Sequence, residues 1–310
     1  MDTKAELQTL AGKFSQMLGK GNITDVCVKP MNAWEQGFSG AELLRVEGVS
    51  IDGQRESYIC KKTDLKERRV MRRLTEQGHS CTPAAYSEDC VSDEHKWMIQ
   101  QDLGKKVNPP RHREWMGKVA NALAEIHGNN MNRGGEMPWL PHADKDYWEK
   151  IVTQISVFHF EKAVCEDMRF ARQFESLLPK VQEAGMRFAR EMTELYKEAQ
   201  WLTLTHGDLQ NMDGDHVYNV NGEPYLIDFG FARYAPFYID LVDYFSVENA
   251  VLYHQALTAR GFHIHLNDFE ERFQTAFKYP GFIYMFPSIM QWKRGSEGRL
   301  INLLNRILNS

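Results

Sequence analysis

The stretch from Leu202 to Ala232 reads LTLTHGDLQNMDGDHVYNVNGEPYLIDFGFA and holds two acidic signatures, His206-Gly207-Asp208 and Asp228-Phe229-Gly230, at either end of a hairpin-like segment. Asp208 follows the β-branched run LTLT, which places it on a loop where its carboxylate can accept or orient a hydroxyl proton. Asp228 ends the apolar run YLID, and Gly230 permits the sharp turn that aims a carboxylate at Mg²⁺. At a buried strand end such a carboxylate is costly unless a cation lies beside it. Two carboxylates in these roles suit phosphoryl transfer, which needs a phosphate cradle, a cation on the phosphates, metal ligands and a group that orients the attacking hydroxyl.

The other parts can be sought upstream. WEQGFSGAELLRV places Gly37, Ser39 and Gly40 in a tight turn between extended segments, where backbone N–H groups can approach phosphate oxygens; a plain β-turn has the same composition. SYICKKTDL is a β-branched and aromatic run that ends in two lysines. Matching Tyr58-Ile59-Cys60-Lys61 to the strand form Val-Ala-Ile-Lys favours Lys61 over Lys62, with Lys61 and Ile59 on one strand face. A solvated lysine pair is the plainer alternative. Glu67 opens the helical stretch ERRVMRRL, whose apolar side carries Val70, Met71 and Leu74, and its carboxylate can hold the Lys61 ammonium. The step from Lys61 to Glu67 is short, so that pair forms only if the helix starts abruptly. KWMIQQDLG then reads as an apolar strand running into a polar linker.

These residues need two kinds of scaffold. Leu7, Leu10, Phe14 and Met17 recur at helical spacing and predict a first amphipathic helix over 5–18. From Trp34 to Leu103 come short β-forming runs broken by turn signals such as IDGQ, with one helical stretch at Leu65 to Gln77. After the connector KKVNPPRHR the pattern turns helical, with Trp115, Val119, Leu123 and Ile126 on one face. Helices are expected over 146–200 and again over 238–310.

Composition narrows the partner. The chain has 310 residues, 43% hydrophobic and 12% aromatic, enough for two lobes with a sizeable core. A net charge of -5 with both signs interspersed offers no basic stripe for nucleic acid and no polybasic cluster for a membrane surface. Cys27, Cys60, Cys81, Cys90 and Cys165 show no CxxC spacing and read as reduced thiols. No apolar run approaches the ~20 residues of a membrane span, so a soluble cytoplasmic protein with a small-molecule partner is expected.

The order GFSG, YICK, Glu67, QQDLG, THGDLQ and YLIDFG resembles the aminoglycoside phosphotransferase and choline kinase family, relatives of the protein kinases, over about residues 30 to 245. The resemblance implies an α+β, two-lobed protein-kinase-like fold, with a small antiparallel sheet lobe over 1–101 and a larger, mostly helical lobe over 102–310. It implies transfer of the ATP γ-phosphate to a small-molecule hydroxyl, with Asp208 as catalytic base or orienting carboxylate, His206 as a brace for its loop, Asp228 as Mg²⁺ ligand and Lys61 as the cation on the α- and β-phosphates. Backbone groups around Gln100, Gln101 and Leu103 would hold adenine. His127 in LAEIHG is taken as structural, and Asp240 as a buttress of the catalytic loop without a catalytic role.

One position departs from the family form H-x-D-x-x-x-x-N, because five residues past Asp208 stands Asp213 where the family has asparagine. Asp213 is a hard oxygen donor for a second Mg²⁺ contact; His216 takes the site if the count runs back from the Asn221-Gly222 turn; Asn211 has the right chemistry at the wrong spacing. The leading expectation is a Mg²⁺- and ATP-dependent small-molecule O-kinase, and the alternative is a nucleotide-binding pseudokinase. A protein serine/threonine kinase is a third possibility, but the chain lacks the H-R-D and A-P-E forms. Acceptor contacts are sought among Trp148, Phe158, Phe160, Asp240, Asp243, Glu248 and Tyr253, although aromatic residues at helical spacing are more often core.

Overall fold

The computed structural model describes residues 3–31, 41–105, 107, 109–110, 112–210 and 216–309. The chain divides into two compact units, Met1–Arg111 with Asp213–Ala232, and His112–Met212 with Arg233–Ser310.

The first unit is built on a five-stranded antiparallel sheet of order β1-β2-β3-β5-β4, with β1 at Ile23–Pro30, β2 at Leu43–Ser50, β3 at Arg55–Thr63, β4 at Ala85–Tyr86 and β5 at Lys96–Gln101. Helix α1, Thr3–Met17, lays Leu7, Leu10, Ala11 and Phe14 against Val46, Tyr58, Cys60, Trp97 and Ile99. Each fully buried side chain of this kind contributes roughly 1.5–3 kcal/mol. Phe14 and Tyr58 meet edge to face at 5.1 Å.

Helix α2, Leu65–Glu76, begins two residues after β3 because Asp64 caps it, its side chain accepting the Glu67 N–H at 2.8 Å. That cap is the abrupt start which the spacing of Lys61 and Glu67 demands. The buried Arg68 guanidinium on α2 donates to the carbonyls of Thr63 (2.5 Å), Ser92 (2.6 Å), Asp89 (2.8 Å) and Glu94 (3.0 Å), fastening the loop before β5.

The same unit contains the hairpin of β7, Val217–Val220, and β8, Glu223–Leu226. Asn221 and Gly222 join the strands at φ 54° and 85°, the left-handed pair a two-residue hairpin turn requires. The Leu226 N–H donates to the Cys81 carbonyl at 2.7 Å, tying the hairpin to the sheet unit. The first unit thus runs on to Arg111 and takes in Asp213–Ala232.

The second unit is mostly helical: α3 (Arg113–Asn130), α4 (Lys145–Lys150), α5 (Phe158–Glu166), α6 (Met168–Phe174), α7 (Leu178–Tyr196), α8 (Tyr238–Leu241), α9 (Val247–Ala259), α10 (Leu266–Ala276), α11 (Tyr279–Ile283), α12 (Met285–Lys293) and α13 (Gly298–Leu308). A two-stranded ladder of β6, Leu202–Thr205, and β9, Arg233–Pro236, runs antiparallel from Leu202↔Pro236 to Thr205↔Arg233. The Thr203 hydroxyl donates to the His127 carbonyl on α3 at 2.8 Å, so β6 presents the segment after Thr205 from a fixed base. Among the described residues no helix is long and apolar enough to cross a membrane.

Candidate active site

In the first unit the lysine on β3, the glutamate on α2 and the aspartate after β8 converge. Lys61 Nζ lies 2.7 Å from Glu67 Oε1 and 2.6 Å from Asp228 Oδ1. Lys62 points the other way along the pleat, with 44% of its side chain exposed and its Nζ 3.9 Å from Glu42. The register of the strand thus separates two lysines that composition alone cannot.

Glu67 is also fixed by the Thr63 hydroxyl, which donates to Oε2. Burial works against the Lys61 charge, but the Glu67 and Asp228 carboxylates outweigh it and hold the ammonium above the ordinary lysine range. Burial pushes the Glu67 carboxyl up against the pull of Lys61.

Asp228 adopts φ 63°, ψ 66°, a left-handed conformation that aspartate tolerates better than most residues and that keeps its carboxylate turned onto Lys61. A Cβ at Gly230 would stand 3.3 Å from Asp228 Oδ1, tight against that carboxylate, and at ordinary contact, 3.8 Å, from Glu67 Oε2. Lys66 donates to the Gly230 carbonyl, and Phe229 is buried, so the turn after Asp228 is anchored on both sides.

His216 stands at the start of the hairpin, its carbonyl accepting the Ile227 N–H at 2.9 Å and its Nε2 lying 3.9 Å from Asp228 Oδ2. Asp213 and Asn211, the other two expected donors, lie outside the described residues, as do Gly37, Ser39 and Gly40 in the connection from β1 to β2. Among the described residues no three His, Cys, Asp or Glu side chains form a ready metal cage. The Asp228 carboxylate, 35% exposed, is a hard oxygen donor of the kind Mg²⁺ uses when phosphate oxygens and water complete its shell. The donor set fits such a shared ion and not a closed structural site.

Gln100 and Gln101 end β5, where Gln101 gives its N–H to the Ala84 carbonyl at 3.1 Å and accepts the Ala84 N–H on its side-chain oxygen at 2.8 Å. The Gln101 N–H is thus engaged within the sheet unit. Leu103 follows Asp102, which composition reading overlooked. The Asp102 carboxylate takes hydrogen bonds from Arg45 (2.8 Å), Ser57 (2.5 Å) and the Gly104 N–H (2.9 Å), stiffening the segment after β5.

In the second unit the loop of Asp208 hangs from one buried carboxylate. Asp240, fully buried on α8, accepts the His206 N–H at 2.6 Å on Oδ2 and the Gly207 N–H at 2.7 Å on Oδ1, while His127 Nε2 lies 3.0 Å from Oδ2. His127 Nδ1 is 2.8 Å from the Tyr253 hydroxyl, which completes a buried chain. His206 receives the Asp208 N–H on Nδ1 at 3.2 Å, closing the loop on itself. Gly207 sits at φ 78°, a position that favours glycine.

Asp208 is oriented by residues the motif search did not find. Its Oδ1 accepts from the Tyr284 hydroxyl at 2.5 Å and from Gln210 Nε2 at 2.8 Å. Burial, reinforced by the Asp208 charge, pushes the Tyr284 phenol well above its ordinary range, so it remains a neutral donor. The Tyr279 hydroxyl donates to the Gly207 carbonyl at 2.9 Å. Tyr279 opens α11 and Tyr284 follows its last residue, in a stretch that reads only as apolar helix.

Of the residues considered for acceptor contacts, Trp148, Phe160 and Tyr253 are fully buried core, and Asp240 is consumed by the loop. Phe158 and Glu248 are exposed, and Asp243 lines a cavity.

A family model described as a phosphotransferase enzyme family matches residues 51–270. No curated protein sequence matches the chain. Among solved structures, the ethanolamine kinase of Plasmodium vivax is similar at TM-score 0.59 and 13% identity, over 100% of this chain and 89% of that one. A spectinomycin phosphotransferase in complex with ADP and spectinomycin is similar at TM-score 0.54 and 14% identity, over 95% and 92%. The macrolide 2'-phosphotransferase of Brachybacterium faecium is similar at TM-score 0.51 and 10% identity, over 97% and 98%. At such identities the likeness is one of fold, and it is the two-lobed, protein-kinase-like α+β fold expected from the sequence.

Proposed function

Because the chain belongs to the phosphotransferase enzyme family, we propose that it transfers the γ-phosphoryl group of ATP to a hydroxyl of a small molecule. The observation that carries this reading is the Lys61 ammonium held between Glu67 at 2.7 Å and Asp228 at 2.6 Å, a pre-set cation beside a metal-competent carboxylate. The ADP bound to the similar spectinomycin phosphotransferase supports a nucleotide ligand, and the acceptors named for these structures support a small-molecule alcohol.

In this reading Lys61 binds the α- and β-phosphates, and backbone N–H groups around Gly37, Ser39 and Gly40 cradle the triphosphate. Asp228, with His216 beside it, would hold Mg²⁺, which supplies charge neutralisation on the phosphates. Asp208 takes the proton of the acceptor hydroxyl as the oxygen–phosphorus bond forms. The bond from the γ-phosphorus to the bridging oxygen breaks, its electron pair leaves with ADP, and Asp208 returns the proton to solvent. Tyr284 and Gln210, both donating to Oδ1, hold the carboxylate in one orientation, and His206 holds the backbone beneath it.

The test is Mg²⁺-dependent ATP turnover with a panel of polyols, amines and aminoglycosides, comparing the native chain with Asp208→Ala and Asp228→Ala. Each substitution should lower the rate on the order of 10²-fold or more. Tight nucleotide binding with no turnover on any acceptor would instead favour a pseudokinase, the reading that Asp213 at the family's asparagine position motivates.

A further inference from the structure

A cavity of about 680 Å³ in the second unit is lined by Asp243, Tyr284, Gln291, Arg294, Arg299 and Arg306, among others. That volume suits a metabolite. Two of its walls lead directly to the catalytic loop: the Tyr284 hydroxyl is 2.5 Å from Asp208 Oδ1, and Arg299 Nη2 donates at 2.9 Å to Gln210, which itself donates to Asp208.

The lining is basic. Asp243, its only carboxylate among the lining residues, is already matched by Arg306, which contacts Asp243 Oδ1 at 2.9 Å, donates to the carbonyls of Phe277 and Val242, and stacks on the Phe277 ring. Among the described residues, the ion pairs of this region, Arg306–Asp243 and Arg169–Glu297, involve neither Arg294 nor Arg299. Arg299 is ordered through Gln210 and by lying 5.0 Å from the Tyr284 ring centre, with the Asp243 carboxylate within its electrostatic reach. It stands in the first turn of α13, whose N-cap residue Glu297 is paired with Arg169 at 2.5 Å.

We propose that this cavity is the acceptor site and that it selects hydroxyl compounds carrying a carboxylate or phosphate, whose anionic group rests on Arg299 and Arg294 while the hydroxyl reaches Asp208. The inference rests on the phosphotransferase reading. Guanidinium forks match both anions through paired, charge-assisted hydrogen bonds. A polycationic acceptor would meet the same two guanidinium groups as like charges and lacks an acidic lining to receive it.

The experiment measures Mg²⁺-dependent phosphoryl transfer from ATP by phosphorus NMR, using the whole chain and two matched sets of acceptors. Glycerol, glycerate and serinol share one skeleton with neutral, anionic and cationic character; glucose, glucuronate and glucosamine form a second set. The anionic member of at least one set should exceed its partners in kcat/KM by roughly 10- to 100-fold, the worth of one hydrogen bond to a charged group. Arg294→Glu, a change at an exposed position, should erase that preference through KM, and Arg299→Lys should retain part of what Arg299→Gln loses.

Transfer to neutral or cationic members at equal or higher kcat/KM, lost in Asp208→Ala, overturns the anion inference and leaves the phosphotransferase reading standing. Preference for the anion that Arg294→Glu and Arg299→Gln leave unchanged overturns the assignment of this cavity. No transfer to any member, with ATP loss unaltered in Asp208→Ala, overturns the reading and the inference with it.

Discussion

Replacing Asp240 by alanine tests whether one buried carboxylate suspends the catalytic loop. The side chain is fully buried and accepts two backbone N–H groups, from His206 at 2.6 Å and Gly207 at 2.7 Å. A hydrogen bond to a charged acceptor is worth roughly 1.5–3 kcal/mol, and a donor left buried without a partner costs a similar amount. Two such bonds put the loss at about 3–6 kcal/mol, a large share of the ~5–15 kcal/mol that typical folds retain. Asparagine keeps one acceptor oxygen and turns an amide toward the second N–H, so its cost should be about half.

Urea unfolding followed by tryptophan fluorescence reads these losses, with a fall in midpoint at constant m-value, and the alanine variant should melt on the order of 10 °C lower. Phosphoryl transfer should fall in both variants, because Gly207 and Asp208 share the loosened backbone. A loss under about 1 kcal/mol for alanine, or an asparagine variant as unstable as the alanine one, would refute the argument.

Three further outcomes follow from the same structure. Arg68→Met should cost on the order of 3 kcal/mol by stripping four carbonyls of their donor, and should open the 85–95 loop to limited proteolysis while α2 stays folded. Burial, opposed by Arg306, holds the Asp243 carboxyl above the usual aspartate range, so its contribution is complete below the unfolded value near ~3.9 and is lost as pH rises through the folded value; the native chain should lose stability relative to Asp243→Asn from about pH 4 upward in urea titrations. Burial pushes the Cys60 thiol up to about 12, so a thiol reagent should label exposed Cys27 and Cys165 in the native protein and reach Cys60 only after unfolding, with peptide mapping as the readout.

The parts of the site that were legible in the sequence are those whose chemistry forces a residue type at a fixed offset. The Asp228-Phe229-Gly230 order marked the turn after β8, and the two-residue register of β3 chose Lys61 from the pair. The Asp64 cap turned a worrying short step between Lys61 and Glu67 into the reason that the pair forms. Strand β1 escaped notice because a bulge between Thr24 and Cys27 breaks its period, leaving only the short alternation of Val26 and Val28, half-buried against the core. Arg68, Tyr279, Tyr284 and Arg299 were invisible for another reason. Each acts on a carbonyl, an aspartate or a glutamine distant in the chain, and no local pattern encodes such a meeting.

The polypeptide leaves the sheet unit after Arg111, comes back at Asp213 for a single hairpin, and departs again at Arg233. No single cut therefore yields an intact sheet module. A fragment ending at Arg111 would keep all five strands yet lack Asp228, leaving the Lys61 ammonium to Glu67 alone. For anyone grafting or recombining such modules, the twenty-residue excursion is the piece that must travel with the sheet, though the gene writes it in the middle of the helices.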